Sequence, residues 1–133
     1  MSATALDVLR ARAPSAKPRI ALVLGSGWSG VTAQVQNAVR IPYADLPGFP
    51  QSAVAGHGSE VIVGRIGPHE VAVLTGRKHT YETGEPTGMK EPLRQLKAWG
   101  CELLVQTNAA GSLDPAMPPG SLMLITDHLN CMG

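Results

Sequence analysis

Aromatic side chains are scarce in this sequence, with two Trp, two Tyr and one Phe. They are scattered, which excludes a base-stacking surface for single-stranded nucleic acid. Neither sign of charge is in excess: eleven Lys and Arg stand against ten Asp and Glu, a formal net charge of +1. No field therefore favours nucleic acid or an anionic membrane. Long apolar runs are missing too, and the longest, Ile20 to Leu24, is far too short to span a bilayer. The opening MSATALDVLRARAP has no apolar segment of the kind a secretion signal needs. Its Arg, Ala and Ser faintly suggest an organelle transit peptide, but a surface helix is the better reading. Two cysteines, Cys101 and Cys131, with no CxxC and no ligand cluster, argue against a disulfide scaffold or a zinc module. What is present is a chain of 133 residues, 44% hydrophobic. That is enough for one packed domain in a reducing compartment, and the cytoplasm is the expected location.

Hydrophobic spacing orders the chain into alternating elements. Thr4 to Arg12 places Leu6, Val8 and Leu9 as a short amphipathic helix would, with Pro14 as its stop. Residues 1–18 thus read as a leading helix and linker. Ile20-Ala-Leu-Val-Leu24 reads as a strand buried on both faces. Val61–Val63 and Val71–Leu74 flank Gly67-Pro68 as a β-hairpin. Thr87 to Trp99 carries Met89, Leu93 and Leu96 on one helical face, with Pro92 in the first turn and Gly100 as the stop. Leu103–Val105 reads as a further buried strand, and Leu122–Ile125 as the last apolar run and strand. The alternation predicts an α/β fold, a mixed central sheet with flanking helices.

Three loops that follow strands hold the candidate chemistry. Gly25-Ser-Gly-Trp-Ser-Gly30 matches the dinucleotide pattern GxGxxG directly after a strand. Against that reading, the next extended stretch begins near Ala38, leaving about eight residues where a parallel crossover needs a dozen or more. The acidic residue expected on the ribose side is also missing from a clean strand end, since Asp45 sits in a Pro-rich loop. A ligand-free turn, or a phosphate loop in which backbone N–H groups and the Ser26 hydroxyl donate to an oxyanion, stand beside it. The second loop, Gly76-Arg-Lys-His-Thr-Tyr-Glu82, offers the bidentate fork of Arg77. An extended backbone would put Arg77, His79 and Tyr81 on one face, while Lys78 and Glu82 read as solvated. The third, Thr107-Asn-Ala-Ala-Gly111, allows close backbone approach to a ligand, with Asn108 as a neutral donor and acceptor. If these strands are parallel neighbours, the loops share one cleft. His57 sits between glycines and suits either a ligand contact or a solvated loop. His69 reads as surface, and Asp127-His128 as a local hydrogen bond. No Ser-His-Asp order, carboxylate pair or metal spacing emerges.

Taken in order, GSGWSG, PGFPQSAVAGHGSEVIVGRI, GRKHTYE, TNAAGSL and PPGSLMLITDHLN resemble the motif series of the trimeric-type purine nucleoside phosphorylases. The resemblance covers essentially everything from Ile20 to Gly133. Methylthioadenosine phosphorylases are similar in fold and loop order, but GRKHTYE with TNAAGS looks more like the purine nucleoside enzymes. The resemblance implies a pentosyltransferase that carries out reversible phosphorolysis of purine (deoxy)ribonucleosides to free base and (deoxy)ribose 1-phosphate. It implies no cofactor, only inorganic phosphate as co-substrate, and a homotrimer as the complete assembly, with neither nucleic acid nor membrane as partner. It also implies that Ser26, Arg77, His79 and the Ala109 backbone hold phosphate. Tyr81 would meet the sugar, His57 would border phosphate and nucleoside, and Asn108, Ala110 and Gly111 would line the sugar and base side. His79, Tyr81 and Asn108 are then the catalytic set, with no enzyme nucleophile required.

Three departures qualify the resemblance, of which length is the largest. Trp28 stands where the family motif has a small aliphatic residue, and residues 83–89 resemble a bacterial branch of the family. Family members also continue well beyond this length, so the expectation is an N-terminal portion with an open sheet and poor solubility alone. The alternatives are an inactive remnant that binds an oxyanion or a partner, a methylthioadenosine phosphorylase, and a nicotinamide dinucleotide binder.

Overall fold

The computed structural model describes residues 2–51, 59–79 and 84–131. Helix α1 (Ala5–Arg12) starts at Thr4, whose hydroxyl accepts the Asp7 N–H at 3.2 Å while the Asp7 carboxylate accepts the Thr4 N–H at 2.8 Å. This reciprocal cap satisfies two of the helix's orphan donors. Helix α2 (Lys90–Trp99) starts three residues later than the hydrophobic spacing suggests, because 86–89 form turns first. Pro92 lies buried in its first turn, where no N–H is needed, and Gly100 ends it at φ +121°.

Five strands build one sheet, β1 (Ile20–Val23), β2 (Gln36–Pro42), β3 (Glu60–Ile66), β4 (His69–Leu74) and β5 (Leu103–Gln106), in the order β2-β3-β4-β1-β5. β3 and β4 are the expected hairpin about Gly67, and β2 joins β3 antiparallel. β1 lies parallel to both β4 and β5. The sheet is therefore mixed, as expected. Strand alternation divides the core in two. Val61, Val63, Ala72, Leu74, Ala21 and Val23 face α1 and α2, packing on Leu9, Leu96 and Trp99. Ile62, Val71 and Val73 face the other way, where the 3₁₀ segment Ser29–Gln34 brings Val31 and Val35 over them.

The expectations for β5 and for the last strand need correction. β5 is an edge strand, and Leu103, Leu104 and Val105 are 55%, 41% and 37% exposed. Among the described residues, no other strand pairs its far side and no helix covers it. Leu122–Ile125 forms no strand and is exposed. An apolar run becomes a strand only when a neighbouring edge takes up its backbone hydrogen bonds, and here none does. No helix among the described residues is long and apolar enough to cross a membrane.

Candidate functional site

Pairing register sets the geometry. Val23, the last residue of β1, lies opposite Leu74 on one side and Gln106 on the other. The loops leaving β4, β1 and β5 therefore begin level with one another at the carboxyl end of the parallel strands. With strands about 4.8 Å apart, the three roots span about 10 Å. This is the crevice position where open α/β sheets present ligands.

The roots are tied together through Thr107, a buried polar residue at 8% exposure. Its N–H donates to the Val23 carbonyl at 3.0 Å. Its hydroxyl donates to the same carbonyl at 3.1 Å and accepts the Gly25 N–H at 3.0 Å. Its own carbonyl accepts from Arg77 Nη1 at 2.8 Å. The strands approach so closely here that a Cβ on Gly25 would collide with the Thr107 carbonyl oxygen and come within 2.8 Å of the Asn108 Cα. Glycine at 25 is thus explained by the neighbouring backbone rather than by a dinucleotide.

Beyond Gly25 the chain turns, with Trp28 N–H donating to the Gly25 carbonyl at 3.3 Å and Gly27 at φ +84°, the conformation a type II turn requires at its third position. Ser26 sits exposed at the tip of this turn. Trp28 packs against the second core cluster and donates Nε1–H to the Asn108 carbonyl at 3.2 Å, a second link between the β1 and β5 loops. The dinucleotide reading fails on topology, because β2 pairs antiparallel with β3 and is not a neighbour of β1. Asp45, the only acidic residue near the expected ribose position, is bound instead to Arg12 at 3.0 Å.

The β4 loop is anchored at its root. Thr75 and Glu60 exchange hydrogen bonds, and the buried Tyr43 hydroxyl donates to the Gly76 carbonyl at 2.7 Å. Burial drives the Tyr43 hydroxyl far above the usual tyrosine range, outweighing the opposing effect of that hydrogen bond, so it remains a neutral donor. Arg77 and His79 are half-buried. Lys78 is not the solvated residue expected, since it is half-buried with its aliphatic stem packed on Gly88. In the β5 loop Asn108, Ala109, Ala110 and Gly111 are exposed, and the Asn108 amide donates to the Ala109 carbonyl at 3.3 Å. His57 and Tyr81 lie outside the described residues, and with Tyr81 the one-face alternation of Arg77, His79 and Tyr81.

The structure therefore roots the loops that carry Ser26, Arg77, His79, Asn108, Ala109, Ala110 and Gly111 at one end of the sheet, with Arg77 tied to Thr107 and Trp28 to Asn108. Residue patterns alone singled out neither Thr107 nor Tyr43. The available signal for Thr107 was a hydroxyl just past the end of β5, where a buried polar group must find partners. His69 is exposed beside the hairpin turn, and Asp127 accepts the His128 N–H at 2.8 Å. No group of three His, Cys, Asp or Glu among the described residues could hold a metal. Two other concavities lie away from the loops. One of about 310 Å³ is lined by Arg12, Asn37, Arg65 and Glu70, and the other, of about 660 Å³, is a groove between α2 and β5 lined by Leu93, Leu96, Cys101 and Leu103.

Comparison with known proteins gives a consistent result. The family model described as the phosphorylase superfamily matches residues 19–133. Purine nucleoside phosphorylase 1 of Geobacillus stearothermophilus is 40% identical over 129 residues, covering 97% of this chain and 47% of that protein. The purine nucleoside phosphorylase of Mycobacterium leprae is 43% identical over 127 residues, covering 95% and 47%. Among solved structures, a purine nucleoside phosphorylase in complex with ribose-1-phosphate superposes with a TM-score of 0.75 at 31% identity, over 88% of this chain and 46% of that one. The Schistosoma mansoni enzyme in complex with inosine gives 0.74 at 31%, over 89% and 44%. The chain thus spans less than half the length of each of these relatives.

Proposed function

The chain belongs to the phosphorylase superfamily, and we propose that it carries the phosphate side of a purine nucleoside phosphorylase site. The observation that supports this best is the level convergence of the β4, β1 and β5 loops, with Arg77 held against Thr107 at their centre. In this reading Ser26, Arg77, His79 and the Ala109 backbone hold inorganic phosphate. Asn108, Ala110 and Gly111 line the sugar and base side, with Tyr81 and His57 completing it. Phosphate attacks the anomeric carbon of a purine (deoxy)ribonucleoside as the bond from that carbon to the base nitrogen breaks. The products are (deoxy)ribose 1-phosphate and the free base, which takes up a proton at that nitrogen. Positioning of phosphate and electrostatic support of an oxocarbenium-like transition state account for the rate, without a covalent intermediate on the protein. Phosphate serves as co-substrate and no resident cofactor takes part. Cytoplasmic purine salvage, with the complete enzyme as a homotrimer, is the setting that fits this chemistry.

The test is phosphate-dependent release of hypoxanthine from inosine by the purified chain, alongside a phosphate titration followed by amide NMR. Shifts clustered at 25–30, 75–79 and 107–111 are expected. Arg77→Ala should weaken phosphate binding by about tenfold or more, the loss of a charge-assisted pair. Lys78→Ala, whose stem packs on Gly88, should change it little. Equal losses would refute the assignment of Arg77. Saturable phosphate binding without hypoxanthine release would identify an oxyanion-binding module rather than an enzyme.

A further inference from the structure

We infer that Thr107 is a positioning residue of the oxyanion site, its hydroxyl setting the first amide of the β1 loop beside the Arg77 guanidinium that its main-chain carbonyl holds. The inference rests on the phosphate reading above and assigns a role to a residue that reading leaves out. Every polar group of Thr107 is committed, and to two different strands' loops. Its N–H and hydroxyl engage Val23, its hydroxyl accepts from Gly25, and its carbonyl accepts from Arg77.

Each contact has a consequence for an anion. An arginine side chain is long and samples many rotamers, whereas its planar fork recognises phosphate only in the right orientation. Holding Nη1 on a backbone carbonyl fixes the plane and leaves the other N–H groups pointing in a set direction. Gly25 N–H opens the turn that carries Ser26, so anchoring that amide fixes where the Ser26 hydroxyl can reach. The Thr107 side chain is buried and β-branched, so its χ1 is stiff and the hydroxyl stays aimed at both partners. Trp28 Nε1–H on the Asn108 carbonyl, one residue on, makes a second tether across the same two loops. The emission of Trp28 can therefore report on their alignment.

Thr107→Val keeps the shape and removes the hydroxyl, while Thr107→Ser keeps the hydroxyl. With inorganic phosphate as the probe, we expect the serine variant to bind within about twofold of the unaltered chain and the valine variant about fivefold more weakly. In a Trp99→Phe background, phosphate should shift Trp28 emission in the unaltered and serine chains and not in the valine chain. Urea midpoints measured alongside separate a loss of fold from a loss of alignment. Valine binding as tightly as the unaltered chain, or serine binding as weakly as valine, would overturn the inference while leaving the phosphate reading intact. Absence of phosphate binding by the unaltered chain would overturn both. Should the valine chain not fold, hydrogen exchange at Gly25 N–H in the unaltered chain decides instead. Phosphate should slow it several-fold, and an unchanged rate would refute the inference.

Discussion

At the scale of single residues, environment separates side chains of one chemical type. Cys101, half-buried behind α2, has its thiol pushed up to about 11 by desolvation, whereas Cys131 is exposed. The thiolate is the reactive form. Near pH 8.5 a disulfide reagent should label Cys131 quickly and Cys101 slowly, with the slow phase gaining about tenfold per pH unit until close to its titration point. Equal labelling rates would contradict the burial of Cys101. Because the folded value is raised, the neutral thiol's contribution to stability is complete below the ordinary cysteine range and lost as pH rises toward about 11. Residue types alone disclosed less here. A cysteine's inertness, Lys78's half-burial and Thr107's central place depend on which strands lie side by side. The place of Arg77 and Asn108 just beyond strand ends was legible, because each closely follows an apolar run that reads as a strand.

At the scale of elements, local chemistry and hydrophobic period carry most of the information. The spacing of Leu6, Val8 and Leu9 from Thr4 onward places α1 within a residue of its observed start, and the Thr4–Asp7 cap, which that spacing does not include, fixes the start in the structure. Thr4→Ala should cost about 1 kcal/mol in urea unfolding near neutral pH. Hydrogen bonds from the Thr4 side chain first, and its backbone N–H next, hold the Asp7 carboxyl below its usual range. The benefit of that lowering is present above the unfolded carboxylate value and is lost as pH falls through the folded one. The gap between Thr4→Ala and the unaltered chain should therefore narrow as pH falls below the ordinary carboxylate range. A gap that stayed constant would mean that the carboxylate is not part of the cap. The β3–β4 hairpin was equally legible from Gly67-Pro68. Leu122–Ile125 was not, because period and composition describe a strand's faces while its edge partner is a matter of topology.

At the scale of the whole molecule, the ordered loop motifs foretold the convergence, and the parallel β4-β1-β5 register supplies its physical basis. The same arrangement leaves apolar surface at one side, where Leu103 and Leu104 border the α2 groove and an unpaired backbone runs along β5. Exposed apolar edges template further pairing. The chain should self-associate at micromolar concentration by light scattering, and Leu104→Lys should suppress this without shifting the urea midpoint downward. Concentration-independent scattering from the unaltered chain would show that β5 is not adhesive.

The sheet's two edges are not equivalent. β2 changes register between Gln36 and Val39, carries Asn37 at φ +53° and ends at Pro42, all features that blunt an edge. Among the described residues, only β5 is left to accept a neighbour. A unit with one adhesive edge behaves like a monofunctional monomer: joining two such edges consumes both, and growth terminates at the dimer instead of propagating into a fibre.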